Sequence, residues 1–510
     1  MKTPSPLSIG ERPLTLDDLE AFTRHQLQVD LSQKARKRIA RSRETVEQIE
    51  GLNEPFYGIN TGFGKLCQVQ IPVDQLEKLQ ENLIVSHAVG VGDPVPVQVV
   101  RLMMLIKINS LALGYSGIRL ETLERLMLFL NRGWIPVIPS QGSVGASGDL
   151  SPLAHLVLPL MGMGQVWVDG GTLPAQALLS LNGLEPIRLQ SKEGLALING
   201  TQLMSGYLAY VLMESRYLLR MADLLAAMSL EAYRGSIRPF DPRIHELRPH
   251  KGQIETASNI RSLMDRSEIL KSHENCPKVQ DPYSLRCVPQ VHGASRHAIA
   301  HSVEILETEI NSATDNPLIF DSATVISGGN FHGQPLALPI DYCAIALAEL
   351  ASISERRQYL LLEGPDGLPK LLMQDTGINS GFMIPQYTSA SLVSENKVLA
   401  HPASVDSIPT SLGQEDHVSM GSVGALKLYR VLQNTETVLA IELLCAAQAL
   451  DFRQPVRPGR GVEAAHKAIR QVVRHADSDR RFSDDIQASL ALIRNRSVLL
   501  AVTAAGIRLV

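Results

Sequence analysis

Three stretches of the chain, residues 207–234, 294–316 and 425–452, contain neither glycine nor proline. At 1.5 Å of rise per residue, the first and last each predict a helix of about 40 Å, the length of a bundle rod. The 207–234 stretch carries apolar residues on nearly every face, which predicts a helix surrounded by others, as in an oligomer core. Ile340, Cys343, Leu347 and Leu350 recur at helical spacing, while Glu349, Glu355, Arg356 and Arg357 supply polar faces, the pattern of a packing seam. Strand signals are brief, at 165–168 and 324–326, and no β-α-β alternation repeats. The predicted fold class is mainly α, a long-helix bundle joined to a loop-rich N-terminal lobe. The boundary is placed near residue 205, giving an N-terminal lobe 1–205 and a bundle with C-terminal helical region 206–510.

Glycine, proline and polar residues concentrate at 57–64, 136–152, 199–201, 277–289, 327–335 and 407–414, the loops available for chemistry. With 510 residues, 45% hydrophobic and 20% charged, the chain has material for a large core. Its 48 basic and 52 acidic residues leave a net charge of -4 without long runs of either sign, so nothing tracks a phosphate backbone and nucleic acid is not an expected partner. No apolar signal-peptide core opens the chain and no uninterrupted apolar span reaches membrane length, so a cytoplasmic enzyme away from membranes is expected. The five cysteines, Cys67, Cys276, Cys287, Cys343 and Cys445, are scattered and odd in number, which fits reduced thiols.

The run Gln141-Gly-Ser-Val-Gly-Ala-Ser-Gly-Asp-Leu-Ser-Pro-Leu153 invites several readings. A hydrolase nucleophile elbow needs Gly-x-Ser-x-Gly, yet Ser147 is followed at once by Gly148 and Asp149. A P-loop needs Gly-Lys-Ser/Thr, which is absent. Self-cyclisation is a third reading. The Gly148 amide nitrogen would attack the Ala146 carbonyl two residues back, and glycine removes the side chain that would obstruct so tight a bend. Loss of the Ser147 hydroxyl as water then leaves a methylidene conjugated with the five-membered ring, an electrophile that no ordinary side chain supplies. The plain alternative is a flexible turn before a helix that starts near Asp149, with Asp149 as its cap.

Around this run lie Tyr57-Gly-Ile-Asn-Thr-Gly-Phe-Gly64, Ser86-His-Ala-Val-Gly-Val-Gly92, Leu197-Ile-Asn-Gly-Thr201, Gln280-Asp-Pro-Tyr-Ser-Leu-Arg-Cys287, Ser327-Gly-Gly-Asn-Phe-His332, Gln414-Glu-Asp-His-Val-Ser-Met420 and Glu442-Leu-Leu-Cys-Ala-Ala-Gln448. In these motifs and their order the chain resembles the aromatic amino acid ammonia-lyases, most closely the histidine-acting members. The resemblance implies a fumarase/aspartase-like helical architecture and a homotetramer with active sites shared between subunits. It implies a 4-methylideneimidazol-5-one group (MIO) made autocatalytically from Ala146, Ser147 and Gly148, with no external cofactor and no metal. By the same resemblance, Tyr57 matches the base that takes the β-proton and Tyr283 a second site tyrosine. Arg286 matches the clamp on the substrate carboxylate, where a guanidinium forms two parallel hydrogen bonds. Asn199 and Gln280 match polar residues near the substrate and the MIO, and Phe331 an aromatic beside its ring.

The expected reaction is non-oxidative elimination of ammonia from L-histidine to give trans-urocanate, the first step of histidine degradation. A site for imidazole needs polar partners that a phenyl ring would leave unpaired. His87 and Glu415 are the candidates. Tyrosine and phenylalanine lyases of the family usually carry glutamine at the Glu415 position, which offers no charge to the ring. Ser411-Leu-Gly-Gln-Glu-Asp-His417 departs from the histidine-type pattern, because Leu412 and Gly413 replace alanine and asparagine. Alternatives are a tyrosine or phenylalanine lyase, an aminomutase using the same electrophile, a non-enzymatic helical scaffold, or a zinc protein built on His273, Cys276, Cys287 and His292.

Overall fold

The stretches without glycine or proline overlap the helices Gln202–Tyr233, Val288–Glu309 and Gly421–Asp451, of 32, 22 and 31 residues. These come from a computed structural model that describes residues 5–50, 54–62, 70–274, 278–321 and 324–510. A fourth long helix, Gln334–Leu362, contains the predicted seam, with Ile340, Cys343, Leu347 and Leu350 all buried. Its most apolar window has a mean hydropathy of 1.6, and 67% of that window is buried inside the protein, as in a core helix. The fold is mainly α, as the periodicity predicts.

The middle helix does not coincide with its glycine- and proline-free stretch at either end. It begins at Val288 and passes through Gly293, because glycine there permits close helix crossing: a Cβ on Gly293 would stand 2.5 Å from the backbone nitrogen of Gln253. It stops at Glu309 rather than 316. There Asn311 Nδ2 donates to the carbonyls of Glu307 and Leu14, and Ser312 Oγ to that of Thr308. Such side-chain donors satisfy the last helical carbonyls and end the ladder.

Two compact units are distinguishable, one of Met1–Met213, Ser302–Asp341 and Pro402–Leu426, the other of Glu214–His301, Tyr342–His401 and Lys427–Val510. The first holds the predicted strands: Gln165–Val168 pairs antiparallel with Gly171–Pro174, and Leu318–Asp321 with Thr324–Ile326. Its Val97–Ala112 helix is buried on almost every face and carries Lys107 inward at 1% exposure.

The second unit is cross-braced by buried charge. Arg357 donates Nε and Nη2 to the two oxygens of Glu442 at 2.5 and 2.8 Å, and Ser229 and Ser354 donate to the same carboxylate. Asp223 accepts from His292 Nδ1 at 2.7 Å, Arg296 Nη2 at 2.6 Å and Asn259 Nδ2 at 2.8 Å. A carboxylate so fully satisfied stays ionised despite burial, and here the partners hold Asp223 below the ordinary carboxylate range. These bonds also engage two of the four candidate zinc ligands elsewhere. His292 faces Asp223, and both ring nitrogens of His273 meet backbone carbonyls, of Ile269 and Gly235. Cys276 lies outside the described residues.

Candidate active site

Residues 142–148 form a strap between the strand Pro139–Gln141 and the helix Leu150–Val157. Gly148 sits at φ 72°, and a Cβ built there would lie 2.0 Å from the Gly200 carbonyl oxygen, so no other residue fits without rebuilding both segments. The strap is held at both ends. The Met420 amide donates to the Val144 carbonyl at 2.9 Å, Ser419 Oγ to the Gly145 carbonyl at 2.9 Å, and the Asp149 amide to the Gly200 carbonyl at 2.7 Å. Between these clamps, neither the Gly148 amide nor the Ala146 carbonyl has a hydrogen-bond partner among the described residues. These are the nitrogen and the carbonyl that self-cyclisation would join. The Ser147 carbonyl, by contrast, accepts Asn199 Nδ2 at 3.1 Å, and Ser147 Oγ donates to Glu415 Oε1 at 2.9 Å. The residues present therefore fit an MIO.

Asp149 does precede the Leu150–Val157 helix, but its side chain makes no capping bond there. Its carboxylate instead accepts the amides of Leu203 and Met204, in the first turn of the Gln202–Tyr233 helix, at 2.9 and 3.1 Å, and the Ser422 hydroxyl at 3.0 Å. Amides without intrahelical acceptors and the positive end of the helix dipole make that turn a natural anion site. Complete burial outweighs these donors and pushes the Asp149 carboxyl up to about 7. Because the folded value lies above the unfolded value of about 3.9, this group's contribution to stability is complete at low pH and is lost as pH rises through about 7. For Asp149→Asn, the melting temperature of the variant minus that of the wild type is expected to increase from about pH 4 to pH 7. Thermal melts across that range check it, and a pH-independent difference would refute it.

Tyr57, His87, Ala146, Ser147, Asn199, Phe331 and Glu415 all line one cavity of about 1200 Å³. Seven candidates scattered over 359 positions of sequence, from 57 to 415, are thus brought together; Gly148 is buried beside them. Gln280, Tyr283 and Arg286 belong to the second unit and do not line this cavity. There Tyr283 is 71% exposed, the Arg286 guanidinium stacks 4.6 Å from its ring centroid, and Arg286 Nε is buried without an acceptor among the described residues. Phe63 and Gly64 of the tyrosine loop lie outside the described residues.

His87 ends the Leu76–His87 helix, and its Nδ1 lies 2.7 Å from the Leu83 carbonyl. A carbonyl only accepts, so Nδ1 bears the proton and Nε2 is left as an acceptor. Burial lowers the His87 pKa, opposed by the Leu83 bond and by Glu415, so the ring is neutral at neutral pH. Glu415 accepts from Thr410 Oγ1 at 2.6 Å through its second oxygen, which orients the carboxylate toward Ser147. Ser411, Leu412 and Gly413 run through the left-handed region at φ 50, 55 and 78°, which turns the Leu412 side chain out to solvent at 90% exposure. Leu412 and Gly413 therefore do not line the cavity, although Ser411 and residues 414–417 do.

The family profile for aromatic amino acid lyases matches residues 14–471. The chain belongs to the aromatic amino acid lyase family. This lyase is 55% identical over 481 residues to the histidine ammonia-lyase of Deinococcus radiodurans, covering 94% of this chain and 92% of that one. Among solved structures, histidine ammonia-lyase from Trypanosoma cruzi matches with a TM-score of 0.90 at 42% identity, over 98% of this chain and 95% of the other. Tyrosine aminomutase from Streptomyces globisporus matches with a TM-score of 0.93 at 37% identity, over 99% and 100% of the two chains.

Several residues of this lyase site escape a motif reading. Ser143, Ser419 and Ser422 tie the strap down: Ser143 Oγ and Ser422 Oγ are 2.9 Å apart, and the Gly145 amide donates to Ser143 Oγ. His332 and His417 stack with ring centroids 6.1 Å apart and line the cavity, an arrangement set by a fold contact across 85 positions. Lys107 also escapes notice, although a lysine amid the apolar run Met103-Met-Leu-Ile-Lys-Ile108 was a visible signal.

Proposed function

We propose that this lyase eliminates ammonia from L-histidine to give trans-urocanate, in the cytoplasm. The observation that carries the reading is the pairing of His87 and Glu415 in the cavity that holds Ser147. A neutral imidazole bears one N–H and one bare nitrogen. The Glu415 carboxylate accepts such an N–H and stabilises positive charge on the ring, and the His87 Nε2 acceptor adds a second polar contact. A phenyl ring would leave both unpaired.

We further propose that Ala146, Ser147 and Gly148 mature into an MIO. The Gly148 nitrogen bonds to the Ala146 carbonyl carbon, whose oxygen leaves as one water, and the Ser147 hydroxyl leaves with the α-hydrogen as a second. The Gly148 amide and Ala146 carbonyl, without partners among the described residues, support this. The group supplies an electrophilic carbon for the substrate amine. The chain's other residues bind, orient and move the proton. Tyr57, at the cavity wall, takes the β-proton; Asn199 steadies the Ser147 carbonyl; Phe331 packs beside the ring. Departure of the Ser147 hydroxyl also takes away the donor that occupies Glu415 Oε1, leaving that oxygen to the substrate.

Gln280, Tyr283 and Arg286 complete the site, with Arg286 clamping the carboxylate, in a homotetramer whose subunits share active sites. Two features support this assembly. Arg286 Nε is buried without an acceptor among the described residues, and Leu338, Tyr342 and Ile345 recur at helical spacing on Gln334–Leu362 while 58, 45 and 46% exposed.

Incubation with histidine, tyrosine and phenylalanine separately, followed by absorbance and mass spectrometry, tests the reading. Urocanate from histidine alone is expected. Coumarate or cinnamate would overturn the roles of His87 and Glu415, and a β-amino acid product would identify an aminomutase.

A further inference from the structure

The Val97–Ala112 helix buries Lys107 completely, and its Nζ donates to the Asn199 backbone carbonyl at 2.7 Å. Asn199 is the last residue of the short segment that begins with the helix Glu193–Ile198, and its own Nδ2 donates to the Ser147 carbonyl at 3.1 Å. The other end of that side chain, Oδ1, is buried with no partner among the described residues. None of them fixes the Asn199 amide from its oxygen side, and its aim depends on how firmly its backbone is held. Lys107 holds that backbone.

Bulk packing does not account for an ammonium at this point. A second buried lysine, Lys192, lies nearby and is tied to Asp315 Oδ2 at 2.6 Å. It repels Lys107, while Asp315 and Asp149 attract it; burial is the larger influence and brings the Lys107 ammonium down to about 7. A methionine or glutamine would fill similar space at lower desolvation cost. What the lysine adds is a donor that, in its protonated form, places positive charge two hydrogen bonds from the Ser147 carbonyl oxygen, with the Asn199 peptide and side chain between them.

We propose that Lys107 is a positioning residue for the reaction: it aims the Asn199 amide at the Ser147 carbonyl and supports the negative charge that addition of the substrate amine to the conjugated carbon places on that oxygen. This rests on the reading that Ala146, Ser147 and Gly148 form the MIO, because the Ser147 carbonyl is then conjugated with the electrophilic carbon. A preorganised donor aimed where charge develops lowers the barrier without changing how tightly substrate binds. Lys107 should therefore act on kcat rather than on KM.

The test compares full-length Lys107→Gln and Lys107→Met with the wild type by intact mass, thermal melting, steady-state kinetics on histidine, and affinity for a small thiol that adds to the electrophile. Glutamine keeps a donor but loses the charge; methionine loses both. Expected for both variants are the two-water mass loss, KM within about threefold of wild type, and kcat lowered about tenfold for glutamine and further for methionine. Thiol affinity should fall in the same order. Matured variants with wild-type kcat and thiol affinity would overturn the proposal, as would losses confined to KM. If only one variant folds, that one decides; if neither does, Lys107 is a structural residue and the proposal falls. Absence of the two-water loss in the wild type would instead overturn the MIO reading, and absence of urocanate from a matured wild type the histidine reading, so the failures are separable.

Discussion

Ser147→Ala is expected to yield a folded protein that keeps the full mass of its unprocessed chain and loses at least about a thousandfold in kcat on histidine. Methylidene formation needs the serine hydroxyl as leaving group, and alanine has none. The fold should survive, because the hydroxyl donates one hydrogen bond, to Glu415, and the strap is anchored by its flanks at Val144, Gly145 and Asp149. Intact-mass spectrometry and a urocanate assay on the same preparation check it. A variant with wild-type activity, or one that still loses two waters, would remove the electrophile from the account.

Glu415→Gln is expected to cost about a hundredfold or more in kcat/KM on histidine, while the two-water mass loss persists. The exchange is nearly isosteric. Thr410 Oγ1, which donates to the carboxylate at 2.6 Å, can rotate and accept from the new amide instead. What disappears is the negative charge that, on the proposed function, faces the substrate imidazole. Kinetics on histidine, set beside the melting temperature, separate loss of charge from loss of fold. Unchanged turnover with full maturation would show that Glu415 does not recognise the ring, and would leave His87 as the residue to examine next.

Asp149 shows why a local reading and the folded structure can assign one side chain differently. Its position before the Leu150–Val157 helix is correctly read as an N-cap position, since that follows from neighbours along the chain. Its bonds go to Leu203, Met204 and Ser422, more than fifty positions away and beyond the reach of any local pattern. Gly293 gives the opposite lesson. Glycine has poor helix propensity, yet tight packing against the Lys251–Leu263 helix keeps Gly293 inside one.

By itself the sequence determined the helical class and the long rods, and it singled out the residues proposed to react. Periodicity and the absence of glycine and proline act over a few turns, and the Ala146-Ser147-Gly148 chemistry depends on adjacent atoms. Only the tertiary structure decided that Tyr57, His87, Asn199, Phe331 and Glu415 face one cavity with Ser147, and that Lys107 stands behind Asn199. It also decided that Leu412 turns away to solvent. Those outcomes depend on which distant surfaces bury each other and on which polar groups, once buried, still find a partner, and no single stretch of chain carries that information.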